Sequence, residues 1–230
     1  MCHVLNGRST CNPSHGNVLI NLTSDDTGAH CLELRGQFYN DSEQKAYEAY
    51  RLHAPLHFLR MLSYPDSKWS NKQIVAQRLD GKSRIDILDF GCGLAQNSRE
   101  LAECLIGRKI EVNLFLADIP TLRKECLLWL GKQTGIETTI IDCAEACPVP
   151  NLPHCDICFV QEFFEHVHDP VRYFEAIHSI LNSRGILVTN VSDHVPKFMH
   201  VSPCLFDLRA RLHSLKYDEL YPYVLYQKTV

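Results

Sequence analysis

This chain of 230 residues lacks the features that mark membrane-spanning, exported or nucleic-acid-binding proteins. No apolar stretch approaches the roughly 20 residues that a helix needs to cross a bilayer. Residues 1–10 lack the apolar core of a signal peptide. The formal net charge is −4 and no Lys/Arg cluster occurs, which disfavours a nucleic acid held by electrostatic attraction. We therefore expect a cytoplasmic protein without a membrane or nucleic-acid partner.

Cysteine, in contrast, is abundant, with 11 residues. In a short secreted chain this number would indicate a disulfide scaffold, but several of these cysteines fall within predicted strands and helices. Reduced thiols are the simpler interpretation. Cys155 and Cys158 have the spacing of redox and zinc motifs, yet both lie on a predicted strand, where residues three apart point to opposite faces. We predict a structural role for this pair.

A glycine turn after a short buried strand is the most informative segment of the chain. Residues 85–90 form an apolar run with β-branched character, interrupted only by Asp89. Gly91 and Gly93 follow at once, where the backbone can turn tightly and approach a ligand because no Cβ intervenes. Residues 94–106 then have the pattern of a helix. Ligands of open α/β sheets bind at this edge.

Carboxylates end the next two predicted strands as well. Residues 112–117 lead to Asp118, which is placed to accept hydrogen bonds from both hydroxyls of a ribose. Residues 138–141 lead to Asp142. The ligand is thus predicted to be a nucleoside, and the absence of a phosphate-binding Gly-x-x-x-x-Gly-Lys-Ser/Thr loop disfavours kinases and ATPases. Gln96 stands where the third glycine of an NAD-binding turn would fall, which disfavours a dehydrogenase.

Four segments in this order carry a family resemblance: Ile-Leu-Asp-Phe-Gly-Cys-Gly at 87–93, Asp118, Asp-Cys-Ala at 142–144, and Cys-Asp-Ile-Cys-Phe-Val-Gln-Glu-Phe-Phe-Glu-His at 155–166. They resemble the class I S-adenosylmethionine-dependent methyltransferases. The resemblance implies that the glycine turn holds the methionine part of the cofactor, that Asp118 binds the ribose, and that Asp142 contacts the adenine amino group. The cofactor-binding candidates are Asp89, Gly91, Cys92, Gly93, Asp118, Ile119, Asp142, Cys143 and Gln161.

The resemblance also implies the architecture. We expect an α/β, Rossmann-like, doubly wound fold with a mostly parallel seven-stranded sheet, an antiparallel final strand and an N-terminal helical addition. Strand and helix alternate along the chain, which agrees with a parallel sheet. We place an N-terminal loop and helical segment at 1–80, with a helix over about 41–62, and the catalytic domain at 81–230. The sequence leaves the oligomeric state open, and a homo-oligomer is compatible with it.

Two histidines are candidate bases, because each follows a predicted strand at the cofactor edge: His166 and His194. Glu162, Glu165 and His166, together with His194 or His200, also resemble the metal-binding segment of small-RNA 2′-O-methyltransferases. Because the basic surface expected for RNA is missing and the same Glu-x-x-Glu-His segment occurs in metal-free relatives, we predict no metal and retain the first three residues as candidates.

The predicted function is methyl transfer from S-adenosylmethionine to an oxygen, or next a nitrogen, of a small-molecule acceptor. The segment 162–167 followed by Asp169-Pro170 resembles the ubiquinone-biosynthesis type of O-methyltransferase. Two alternatives stay open. One is a methyltransferase-fold protein that binds ligand without turnover, since a fold alone does not establish activity. The other is metal-assisted 2′-O-methylation of RNA.

Overall fold

The computed structural model describes residues 2–5, 8–11, 71–79, 81–120, 123–143, 152–193, 200–202 and 204–229. The helix predicted over 41–62 and the candidate base His194 lie outside these residues. Within the described ranges, no helix combines the length and the apolar character needed to cross a membrane.

Strands of the described residues form a two-stranded and a seven-stranded sheet. They are β1 (Cys2–Leu5), β2 (Arg8–Cys11), β3 (Arg84–Phe90), β4 (Glu111–Asp118), β5 (Glu137–Asp142), β6 (Cys155–Val160), β7 (Leu181–Thr189), β8 (Tyr217–Tyr221) and β9 (Leu225–Lys228). The first two pair antiparallel. The others have the order β5-β4-β3-β6-β7-β9-β8, in which β5 to β7 are parallel and β9 is antiparallel to both neighbours. This confirms the predicted sheet.

Helices cover both faces of the large sheet. They are α1 (Lys72–Arg78), α2 (Gln96–Gly107), α3 (Arg123–Thr134), α4 (Pro170–Ile180) and α5 (Phe206–Ser214). One core cluster joins buried side chains of α1, α2 and α3 with one face of the sheet, and Leu101 of α2 is fully buried in it. A second cluster joins α4 and α5 with the other face, through Phe174 and Leu208. Burial of these apolar faces on both sides fixes the three-layer arrangement.

Local sequence signals explain where several of these elements begin. Asp169 caps α4, because its side chain accepts a hydrogen bond from the backbone N–H of Arg172 at 2.9 Å. Pro170 occupies the first helical position, where a missing N–H costs nothing. A helix thus follows Asp169-Pro170, and β8 and β9 form an antiparallel hairpin after α5.

The register of the parallel strands brings their carboxyl ends to one edge. Phe90 of β3 is the partner of Ala117 in β4, and Asp118 is the partner of Asp142 in β5. Asp89 lies opposite Phe159 of β6. Residues that follow these strands therefore share one edge of the sheet, where ligands of doubly wound sheets bind.

The expectation that Cys155 and Cys158 point to opposite faces of a strand is wrong. The ladder between β6 and β7 has an irregularity between Cys155 and Ile157, which shifts the alternation by one residue. Both cysteines consequently lie in the same core cluster, whereas Ile157 lies in the other. Burial, followed by the contact with Cys155, raises the pKa of the Cys158 thiol well above its usual range. Both thiols are free and 0% exposed, as expected of structural cysteines.

Candidate functional site

The glycine turn after β3 is bent by three residues with left-handed backbone conformations. They are Gly91 with φ +70°, Gly93 with φ +54° and Ala95 with φ +53°. The N–H of Gly91 donates to the carbonyl of Ala117 at 2.8 Å, which ties the turn to the end of β4. A Cβ on Gly91 would stand 2.7 Å from Cδ2 of Phe163. Glycine is thus required at this position both for its backbone angle and for its size.

Ala95 holds a role that sequence reasoning missed. Gln96, treated above as the position of a missing glycine, is simply the first residue of α2. The left-handed residue that starts this helix is Ala95, which is 2% exposed. A non-glycine residue in this conformation carries a backbone cost of roughly 1–2 kcal/mol. Alternate positions of the turn take the left-handed conformation. The spacing of Gly91 and Gly93 could therefore have predicted the same conformation for Ala95.

Asp118 holds the glycine turn through its carboxylate. Its Oδ2 accepts a hydrogen bond from the N–H of Gly93 at 2.9 Å, and its Oδ1 accepts one from the N–H of Ile119 at 2.8 Å. The side chain is 16% exposed, so part of the carboxylate faces solvent at the sheet edge. The sequence predicted that Asp118 and the glycine turn would lie together, and the structure joins them by a direct hydrogen bond.

Arg123, in the first turn of α3, is a site residue that the sequence analysis did not identify. Its guanidinium lies 3.2 Å from Oδ2 and 3.4 Å from Oδ1 of Asp118, so that it faces both carboxylate oxygens. The Arg123 side chain is only 8% exposed. The ion pair is therefore largely shielded from solvent, where screening is weak. An arginine five residues after the acid was the only signal, and it is a weak one.

Asp89 is a buried structural member of the site. Its Oδ2 accepts a hydrogen bond from the Ser98 hydroxyl at 2.5 Å, which connects the end of β3 to α2. Burial raises the pKa of Asp89 to about 7, against the opposing effect of the Ser98 hydrogen bond and with a smaller contribution from the charge of Asp118. Asp89 is 7% exposed. Its hydrogen bond thus ties the strand before the glycine turn to the helix after it.

The remaining cofactor candidates lie along the same edge. Asp142 is exposed at the end of β5, where Lys124 Nζ pairs with its Oδ2 at 2.6 Å. The N–H of Cys143 donates to the carbonyl of Asp118 at 2.9 Å. Cys92, inside the glycine turn, is 7% exposed, and its Sγ lies 4.0 Å from Oδ2 of Asp118. These contacts bring the candidates from three strand ends together at one place.

Gln161 links the end of β6 to the first turn of α2. Its Oε1 accepts a hydrogen bond from Nδ2 of Asn97 at 2.8 Å. The predicted position of Gln161 at the strand end is confirmed, since β6 ends at Val160. The residues that follow Gln161 therefore leave the sheet directly beside the glycine turn, and Phe163 packs against Gly91.

A group of carboxylates and imidazoles follows Gln161. Glu162 has φ +48° and accepts a hydrogen bond from Nδ2 of Asn190 at 2.7 Å. Glu165 is fully buried, and its Oε1 lies 3.7 Å from Nε2 of His166. Burial, with a further contribution from the neighbouring Glu162, raises the pKa of Glu165 to about 8. The rings of His166 and His200 meet edge-to-face with their centroids 5.0 Å apart.

The structure describes only one of the two candidate bases, His166. The side chain of His166 is 22% exposed, and the residue lies six positions after Val160, where β6 ends. His194 lies outside the described residues. His200, which the sequence analysis ranked only as a possible partner for the Glu-x-x-Glu-His segment, is the histidine that the fold brings to His166.

Comparison with known proteins agrees with this topology. Residues 88–189 match the family described as the methyltransferase domain. Curated protein sequences give no match. Among solved structures, the (4+2)-cyclase SpnF shares 16% identity at a TM-score of 0.55, covering 77% of this chain and 73% of that one. An S-adenosylmethionine-dependent methyltransferase of Aquifex aeolicus shares 15% identity at a TM-score of 0.52, covering 76% of this chain and 98% of that one.

A third solved structure extends the similarity over more of the chain. It comes from Listeria monocytogenes, is assigned to the class I S-adenosylmethionine-dependent methyltransferases, and shares 14% identity at a TM-score of 0.51 over 89% of this chain and 73% of that one. At these identities the structures define the fold. The domain match and the fold together indicate S-adenosylmethionine as the cofactor.

Proposed function

We propose that this chain, which carries a class I S-adenosylmethionine-dependent methyltransferase domain, transfers the methyl group of S-adenosylmethionine to an oxygen of a small-molecule acceptor, with nitrogen as the next candidate. One observation carries the proposal: the Asp118 carboxylate lies at the carboxyl end of β4 and is hydrogen-bonded at 2.9 Å to the N–H of Gly93 in the glycine turn. In doubly wound sheets, a nucleoside ligand binds where a glycine turn and a strand-end carboxylate share one edge.

The residues of this edge suit the cofactor in their chemistry. Gly91 and Gly93 present backbone without a Cβ, which lets a ligand approach the turn closely. Asp118 is the group we assign to the ribose hydroxyls, because its carboxylate ends β4 at the edge of the glycine turn and its side chain is 16% exposed there. Asp142, half exposed at the end of the neighbouring β5, is assigned to the adenine amino group.

Methyl transfer requires little from the protein beyond alignment of the acceptor with the methyl group. The bound sulfonium supplies an activated methyl group: the acceptor's lone pair forms the new bond, the carbon–sulfur electron pair passes to sulfur, and S-adenosylhomocysteine leaves. The chain must orient the acceptor and exclude water. It must also remove a proton where the acceptor is a neutral hydroxyl. His166 is the base we assign to this step, because its ring is partly exposed next to the site edge.

A small acceptor fits the charge of the chain better than a polyanion does. The formal net charge is −4, so a nucleic acid would be repelled rather than attracted. The segment 162–167, followed by Asp169-Pro170, resembles the ubiquinone-biosynthesis type of O-methyltransferase. We extend the proposal to that type of acceptor, an aromatic or apolar hydroxyl compound.

Product analysis tests this proposal directly. The chain is incubated with methyl-labelled S-adenosylmethionine and a panel of small hydroxyl and amine compounds, and label in the product is measured. Asp118→Ala should abolish transfer, whereas Asp218→Ala, which changes an exposed carboxylate on β8, should not. Label transfer that survives Asp118→Ala at the wild-type rate would refute the assigned ribose site.

Ligand binding without turnover is the competing function. The similarity in fold to a cyclase at a TM-score of 0.55 shows that this architecture alone does not define a reaction. The two functions separate in one experiment. An enzyme converts bound S-adenosylmethionine to S-adenosylhomocysteine once its acceptor is present, whereas a binding protein retains it unchanged across the whole acceptor panel.

A further inference from the structure

We propose that Glu165, His166 and His200 bind one divalent ion of the manganese-to-zinc series, with Glu162 beside it. One ligand atom from each of the three residues lies within 4.8 Å of the others. This departs from the sequence-based expectation of no metal. The site lies just after β6 and begins two residues beyond Phe163, the residue that packs against the glycine turn.

The separations suit a single ion. Two ligands that each stand about 2.0–2.2 Å from one metal are about 3–4 Å apart for ligand–metal–ligand angles between about 90° and 140°. His166 Nε2 and Glu165 Oε1 are 3.7 Å apart, inside that interval. The widest separation in the group, 4.8 Å, needs to close by only about 1 Å, which side-chain rotation can supply.

The fold holds these residues by backbone hydrogen bonds. The N–H groups of Val201 and Ser202 donate to the carbonyl of Glu165 at 2.8 and 3.0 Å. The Ser202 hydroxyl donates to the carbonyl of Val167 at 2.6 Å. The N–H of His166 donates to the carbonyl of Phe163 at 2.9 Å. These hydrogen bonds hold residues 200–202 against the 3-10 turn at residues 164–166. Both imidazoles therefore lie near the carboxylate of Glu165.

Charge supports a cation at this place. Glu165 is 0% exposed, and the neighbouring carboxylate of Glu162 acts on it. A buried carboxylate next to a second carboxylate is unfavourable unless a proton or a cation offsets the repulsion. A divalent ion would offset this repulsion and would also be bound by the two imidazoles as ligands.

The donor atoms define the class of ion. Two imidazole nitrogens with one or two carboxylates suit manganese, iron, cobalt, nickel or zinc, whereas magnesium and calcium prefer oxygen ligands throughout. Three protein ligands leave further coordination positions open, as in catalytic metal sites. An acceptor hydroxyl in an open position would be easier to deprotonate, so that in the metal-loaded protein the ion would replace the direct proton transfer to His166 proposed above. This catalytic role rests on the proposed methyl transfer to oxygen, while the binding site itself does not.

Titration with manganese tests the site. Mn²⁺ is the probe because the chain has 11 cysteines, which would bind softer ions elsewhere. The full chain is treated with chelator, dialysed and titrated with Mn²⁺ or Mg²⁺ by calorimetry, with electron paramagnetic resonance of free Mn²⁺ as a second readout. We expect one saturable Mn²⁺ site and at least tenfold weaker binding of Mg²⁺.

Variants separate the site from other surface ligands. His166→Asn and His200→Asn should each weaken Mn²⁺ binding at least tenfold. His168→Asn, an exposed histidine two residues away, should leave it unchanged. Since the His166 side chain is 22% exposed, His166→Asn should fold even if the change at buried His200 does not, and circular dichroism checks both. Absence of saturable Mn²⁺ binding, or binding that neither histidine variant weakens, would overturn the proposal.

Measurements on the same samples distinguish the proposed metal site from the proposed methyltransferase function. S-adenosylmethionine binding is measured on metal-free and Mn²⁺-loaded protein. Mn²⁺ binding at Glu165, His166 and His200 without S-adenosylmethionine binding would support the metal site and refute the methyltransferase. S-adenosylmethionine binding and turnover in the absence of any Mn²⁺ site would do the reverse.

Discussion

Replacing Gly91 by alanine should destabilise the domain through two separable effects. The position has φ +70°, and the new Cβ would stand 2.7 Å from Cδ2 of Phe163. A left-handed conformation costs a non-glycine residue about 1–2 kcal/mol, and forcing an extra methyl group into a packed site costs about 1–3 kcal/mol. The lower entropy of the unfolded alanine chain offsets about 0.4–1 kcal/mol. The net loss should be about 2–4 kcal/mol, or about 5–15 °C in melting temperature for a chain of this size.

A double-mutant cycle with Phe163→Ala isolates the steric part. Urea denaturation of the two single variants and the double variant should show that Gly91→Ala costs about 1–3 kcal/mol less when Phe163 is absent. Gly107→Ala is the matched control, because among the described residues no side chain and no backbone from outside its own helix and chain neighbours lies within 4 Å of a Cβ there. The residue also ends α2. A melting temperature of Gly91→Ala within 2 °C of the wild type would refute the reasoning about this turn.

Three further predictions concern titration, thiols and the buried ion pair. Because the folded-state pKa of Asp89 is about 7 against 3.8 for the free side chain, the folded state holds the proton more tightly, and stability from this group is lost as pH rises from about 4 to 7. Asp89→Asn should therefore flatten the pH dependence of the unfolding free energy in that window, and parallel profiles would contradict it. Neither Cys155 nor Cys158, both 0% exposed, should react with a thiol reagent until urea unfolds the chain; reaction in the native state would refute their burial. Arg123→Leu should lower the unfolding free energy by about 1–3 kcal/mol, because the part-buried carboxylate of Asp118 loses its charged partner, and an unchanged free energy in urea would show that the pair adds nothing.

Features fixed by local sequence were predictable. Residues 85–93 specify a strand and a turn because apolar, β-branched residues run directly into Gly91 and Gly93. The carboxylates at the ends of β4 and β5 followed from the same pattern, and parallel pairing then placed Asp118 beside Asp142. Adjacency of strand ends is a property of any parallel sheet, so it needs no knowledge of side-chain packing.

Contacts that depend on packing were not predictable. The Ser98 hydroxyl reaches Asp89 only because α2 packs on β3, and His200 reaches His166 only because its segment crosses back over residues 164–166. The irregularity in β6 that places Cys155 and Cys158 on one face arises from pairing with β7. Such interactions are set by tertiary structure. The periodicity of residues within one segment carries no information about them.

The cofactor site is tested by calorimetric binding of S-adenosylmethionine, S-adenosylhomocysteine and NAD to the wild type, Asp118→Ala and Asp218→Ala. We expect micromolar binding of both sulfur nucleosides to the wild type and to Asp218→Ala, loss of binding in folded Asp118→Ala, and no binding of NAD. Failure of the wild-type protein to bind either sulfur nucleoside would contradict the assignment of the glycine turn and Asp118 as a methyltransferase cofactor site.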